Sequence, residues 1–132
     1  MRIYFDENFS KYLAAGISNL QGGIGGEHIE VFHIGDKFGI GKKDEEWIPE
    51  VAKVHGIVVT QDIHIARTRT LARMCKQYKL GIFFVKQQKS FKYWDYVELI
   101  VHKWGAIKEK TRNSEKPFAY IVTPRKLERL SI

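Results

Sequence analysis

The sequence predicts an α/β domain: a mainly parallel sheet with helices on both faces. Short apolar runs of strand length alternate with longer stretches of helical periodicity along the whole chain. Two of those runs have an aspartate just past their carboxyl end, Asp6 after the first and Asp62 after the third. In open sheets of this kind, ligands bind beyond the carboxyl ends of the strands, where strand order reverses. The 132 residues fit one domain with one real core.

The elements follow in order. Ile3–Phe5 is a short apolar strand ending in Asp6-Glu7-Asn8. Phe9, Leu13, Ile17 and Leu20 then recur on one face of a helix, whose start Asn8 or Ser10 would cap. Gln21–Glu27, rich in glycine, is a turn; no Lys-Ser or Lys-Thr follows to make it a phosphate loop. Ile29–Ile34 is a second strand, and Gly35–Lys43 a loop rich in glycine and lysine. Asp44-Glu45-Glu46 opens a helix to about Val54, its acids where the dipole favours them and Pro49 near the first turn.

Ile57–Thr60 is a buried strand running into Gln61-Asp62. His64 to Tyr78 is a helix with Leu71, Met74, Cys75 and Tyr78 as its apolar stripe and Arg69, Arg73 and Lys76 on another face. Gly81–Val85 is a fourth strand. Ser90 is expected to cap a long helix to about Arg112, with Trp94, Val97, Val101 and Trp104 on one side. Pro117 precedes a last strand, Phe118–Val122, and a basic tail.

Composition narrows the function. The apolar runs fall far short of the ~20 residues of a membrane span, and the first residues have no signal-peptide layout, so an intracellular, cytoplasmic protein without a membrane is expected. The single Cys75 excludes an internal disulfide and any multi-cysteine metal site. The net charge of +7 is unevenly spread. Met1–Asp62 holds 10 acids and 6 bases, whereas Ile63–Ile132 holds 5 acids and 16 bases. A basic surface for a polyanion beside a carboxylate-rich region is the expectation, against ordinary solvated surface.

With the first and third strands as neighbours, Asp6 and Asp62 face each other, and Asp44-Glu45 would complete a cluster. Carboxylates in such proximity repel unless protons or a cation intervene. Hard oxygen donors without cysteine select Mg²⁺ or Mn²⁺, which would support hydrolysis. The bland alternatives are a helix cap for Asp44 and dipole-favoured acids for Glu45 and Glu46. Arg67, Arg69, Arg73 and Lys76, with Lys42 and Lys43 on the opposite rim, would grip a nucleic-acid backbone.

MRIYFDEN, Lys43-Asp44-Glu45-Glu46-Trp47-Ile48 and Val58-Val59-Thr60-Gln61-Asp62, in this order, resemble the PIN-like domains, in particular the branch of VapC-type toxin nucleases. The resemblance implies a three-layer α/β/α sandwich and a metal-dependent endoribonuclease, the toxin of a toxin–antitoxin pair. RNA is then the substrate, and a cognate antitoxin or a second copy of the chain the protein partner. Asp6, Asp44 and Asp62 match the family's metal ligands, Glu45 an extra or substitute ligand, and Thr60 a hydroxyl that orders the site. Asn8 would face phosphate or support a ligand. The family often carries a fourth acid where this chain has Ile63, His64 and Ile65. A catalytically weak binding module is therefore an alternative. A receiver-type signalling domain, with Asp62 as phosphoacceptor and Lys86 ending the next strand, is a third. Substitution of Asp6 or Asp62 by Asn should abolish cleavage and leave the fold as stable or more so.

Overall fold

The computed structural model describes residues 1–62 and 64–132; for Asp62 it describes the backbone. Six strands form one sheet in the order β2-β1-β3-β4-β5-β6: β1 Arg2–Phe5, β2 Glu30–His33, β3 Ile57–Asp62, β4 Gly81–Lys86, β5 Phe118–Val122 and β6 Leu127–Leu130. The first five are parallel and β6 is antiparallel to β5. The helices are α1 Lys11–Gln21, α2 Ile34–Phe38, α3 Asp44–Lys53, α4 Ile65–Tyr78 and α5 Tyr93–Asn113.

Strand alternation sorts the core into two halves. Ile3, Phe5, Ile57, Val59, Phe83 and Val85 pack against α1 and α5. Tyr4, Val58, Ile82 and Phe84 pack against α2, α3 and α4. Both faces of the sheet are thus covered, giving the three-layer α/β/α sandwich. Burying each large apolar side chain stabilises the fold by roughly 1.5–3 kcal/mol.

The helix ends are set locally. Ser10 Oγ accepts the Tyr12 amide at 3.0 Å and caps α1. The Glu46 carboxylate accepts the Lys43 amide at 3.2 Å and fixes the start of α3, which makes Asp44 its first helical residue rather than its cap. Asp95 accepts the Lys92 amide at 2.8 Å at the head of α5, so Ser90 is not the cap expected of it.

Other expectations also need correction. Leu20 is 67% exposed because α1 turns it away from the sheet. The Gly35–Lys43 stretch is not all loop, since Ile34–Phe38 forms one helical turn and more. Pro49 lies inside α3 and removes the N–H that would bond the Glu45 carbonyl. The buried stripe of α5 is Leu99, Ile100, Trp104 and Ile107, leaving Trp94 and Val101 exposed. The basic tail contains β6, whose register pairs Val122 with Leu127 and Ala119 with Leu130. Cys75 is core packing, as expected, and burial pushes its thiol up to about 12.

One connection departs from the usual pattern. The steps β1 to β2 and β4 to β5 run in opposite directions along the sheet, yet α1 and α5 cover the same face. The two crossovers are therefore of opposite hand, although parallel crossovers nearly always share one. To reach the α1 face, the chain leaving β4 passes over the carboxyl edge of the sheet.

Candidate active site

Phe5 pairs with Val59, and the Asp6 amide donates to the Val59 carbonyl at 2.9 Å. This places Asp6 beside Thr60 at the carboxyl ends of β1 and β3, on the α3/α4 side of the sheet. Asp6 is 4% exposed, a burial that an unpaired carboxylate does not tolerate. Its Oδ1 accepts the Glu7 amide at 2.7 Å. Its Oδ2 accepts the Thr60 hydroxyl at 2.7 Å and the Arg67 guanidinium at 2.6 Å.

The same Arg67 nitrogen donates to Asp44 Oδ1 at 3.1 Å, so one guanidinium ties β1 to the N-terminus of α3. Partial burial lowers the Arg67 pKa, but the charges and hydrogen bonds of Asp6 and Asp44 outweigh it and hold the group above its ordinary value. Thr60 is fully buried; its oxygen also accepts the Asn8 side-chain amide at 3.3 Å. Across the sheet, Gln61 Nε2 donates to the Asn8 carbonyl at 3.2 Å. Asn8 Oδ1 is buried and has no hydrogen-bond partner among the described residues.

These groups open into a recess of about 500 Å³, lined by Asp6, Glu7, Asn8, Lys42, Lys43, Asp44, Glu45, Trp47, His64 and Arg67. Its rim is the loop after α2, where Gly41 adopts φ 77° and donates its amide to Glu7 Oε1 at 2.9 Å. Lys42 is held by Glu46 at 3.6 Å.

The sequence-derived site is thus brought together in large part. Asp6, Asp44, Glu45, Asn8, Thr60, Lys42 and Lys43 share this corner of the fold. Asp62 ends β3 opposite Lys86 on β4; its carboxylate and the whole of Ile63 lie outside the described residues. Arg67 does not belong to a basic stripe but sits among the acids. Arg69, Arg73 and Lys76 are exposed on α4 and none of them lines the recess. Trp47, and Arg67 in its central role, were not read from the sequence. The signal for Arg67 is its place four residues before Leu71, which puts it on the inward face of α4.

Clustered carboxylate oxygens suit a hard divalent cation. Among the described residues, no three His, Cys, Asp or Glu side chains are arranged to hold a metal. Asp6 and Asp44 offer the right donor chemistry, and the position between their oxygens is held by the Arg67 guanidinium.

The parallel sheet in order 2-1-3-4-5, with acids at its switch point, defines an α/β/α protein with a site beyond the strand ends. A PIN-like domain family model matches residues 1–87, and the chain belongs to the PIN-like domain family. No curated protein and no solved structure matches the chain.

Proposed function

We propose that the protein is a Mg²⁺- or Mn²⁺-dependent endoribonuclease of the VapC-type toxin branch, cytoplasmic and restrained by an antitoxin protein. The observation that supports this most is the convergence of Asp6 and Asp44 in an open recess at the carboxyl ends of β1 and β3. Asp6, Asp44 and Asp62 would hold the ion, with Glu45 on the recess wall as a further oxygen donor. When bound, the cation supplies an activated water and neutralises charge at the phosphodiester.

The chain's own groups do the rest. Thr60 and the Glu7 amide fix the Asp6 carboxylate so that it need not reorganise during the reaction. Asp44 or Glu45 orients the attacking water and takes its proton. Lys42 and Lys43 hold phosphates at the rim, while Arg69, Arg73 and Lys76 draw in the RNA backbone through sequence-neutral contacts. An antitoxin or a second copy would meet the exposed apolar residues Leu20, Ile24 and Val101 between α1 and α5. Trp104 lies at the floor of that surface, largely buried, with its indole N–H on Gln21 Oε1 at 2.7 Å.

The second reading, an RNA-binding module without cleavage, is favoured by one feature: Arg67 already neutralises both convergent acids. Cleavage of a mixed structured RNA by the purified chain in Mn²⁺, in Mg²⁺ and with chelator separates the two. Metal-dependent cutting that is lost in Asp6→Asn is expected. RNA bound but not cut in either metal would leave the binding module, and cutting that persists in Asp6→Asn would place the chemistry elsewhere.

A further inference from the structure

The reversed crossover builds a second recess. On leaving β4, the chain runs through Gln87, Gln88 and Lys89 over the edge of the sheet to the head of α5. Together with Asn8 and Gln61 this segment encloses about 340 Å³ on the α1/α5 side. Asn8 lines both this recess and the acidic one, so they are neighbours across a single side chain.

Their chemistry differs sharply. Among the described residues no acidic residue lines the second recess; its lining holds three glutamines, one lysine and an aromatic wall. Gln61 spends one N–H on the Asn8 carbonyl. The side-chain amides of Gln87 and Gln88 make no hydrogen bond among the described residues. Phe91 packs edge-on against Tyr96 at 5.2 Å, and the Tyr96 hydroxyl accepts the Gln88 backbone N–H at 3.3 Å, which stiffens the wall. Tyr93 stands 45% exposed at the mouth, braced edge-on by Trp94 at 5.5 Å.

A carboxamide offers a paired donor and acceptor, the pattern that reads a base edge. An exposed, braced aromatic ring offers a face on which an unpaired base stacks. The volume lies at the low end of small-ligand sites, which suits a single base and not a duplex. The geometry points to a nucleobase subsite: this recess takes one unpaired base of the RNA strand whose phosphate lies in the acidic recess. The inference rests on the ribonuclease reading and deepens it: Gln61, Gln87 and Gln88 read the edge of the base, and Tyr93 stacks on its face whatever the base. A base held in a duplex cannot enter, because its edge is already paired and its faces are stacked.

The test is fluorescence anisotropy of short single-stranded homopolymers of A, C, G and U, and of a matched duplex, with chelator present. Wild-type protein is expected to bind the single strands more tightly than the duplex and to rank the four bases. Tyr93→Leu should weaken all four single strands by about tenfold. The Gln87→Ala/Gln88→Ala protein should lose the ranking, with its circular dichroism unchanged. Equal affinity for duplex and single strands, a ranking retained in the double variant, or no binding by wild type would overturn the subsite. These readouts need no cleavage, so failure of the subsite is distinct from failure of the nuclease chemistry, which the metal-dependent assay reads.

Discussion

The Asp6 carboxylate accepts three hydrogen bonds within 2.7 Å, and two of them come from side chains far away in sequence. That changes what its replacement does. Read from the sequence, Asp6 is one of several repelling acids, and Asp6→Asn should relieve strain. In the fold Asp6 is paired with Arg67, so the substitution should cost about 1–3 kcal/mol while it removes cleavage. Urea unfolding checks the first part. Arg67→Ala should also destabilise the fold by a similar amount, since Asp6 is then left buried and uncompensated. At the proposed cation site, cation and guanidinium would compete for the same oxygens, so Mn²⁺ should raise the Tm of Arg67→Ala more than that of wild type. An equal rise would show that they do not compete. Asp6 and Asp44 were legible because each follows a recognisable boundary, a strand end or a helix start. Arg67 was not, because its neighbours Arg69 and Arg73 suggested a common basic face, and only the register of α4 separates them.

At the scale of elements, the connection between α1 and α5 carries a second polar cluster. Lys108 and Arg112 of α5 bind Glu27 at 2.8 and 2.7 Å, and Gln21 of α1 donates to it at 2.8 Å. The hydrogen bond from Lys108, followed by those from Gln21 and Arg112, pulls the Glu27 carboxyl from 4.5 to about 2. A depressed carboxylate pKa contributes stability that is fully present above 4.5 and is lost as pH falls toward 2. Wild-type stability should therefore drop across that window more steeply than that of Glu27→Gln, as thermal melts at stepped pH would show. Parallel acid profiles would remove the cluster from the account. The elements themselves were mostly legible, since β1, β3, β4 and β5 are apolar runs bounded by turns. The misses have physical causes. In α5 the spacing of Trp94, Val97, Val101 and Trp104 competes with that of Ile100 and Ile107, and it is the second register that meets the sheet. β6, at the sheet edge, has two polar residues between two leucines and no run long enough to mark it.

For the molecule as a whole, the first half supplies most of the recess lining, acids and rim lysines alike, and the second half adds His64 and Arg67. Arg69, Arg73 and Lys76 lie outside the site, so their contribution to RNA affinity should be purely electrostatic. Replacing Arg69 and Arg73 together should flatten the slope of log affinity against log salt by about one to two. An unchanged slope would make α4's outer face ordinary surface. The charge split was readable from the sequence, and the pairing of β1 with β3 followed only from taking the two strands as neighbours. The opposite-handed crossover was not, because which face a helix covers depends on packing across the whole sheet. The central claim, that Asp6, Asp44 and Asp62 together form a cation site, is tested most directly by calorimetric titration of Mn²⁺ into wild type and Asp62→Asn. Saturable binding in wild type, weakened about tenfold or more in Asp62→Asn, is the predicted result. Equal binding by the two proteins, or none by either, would contradict it.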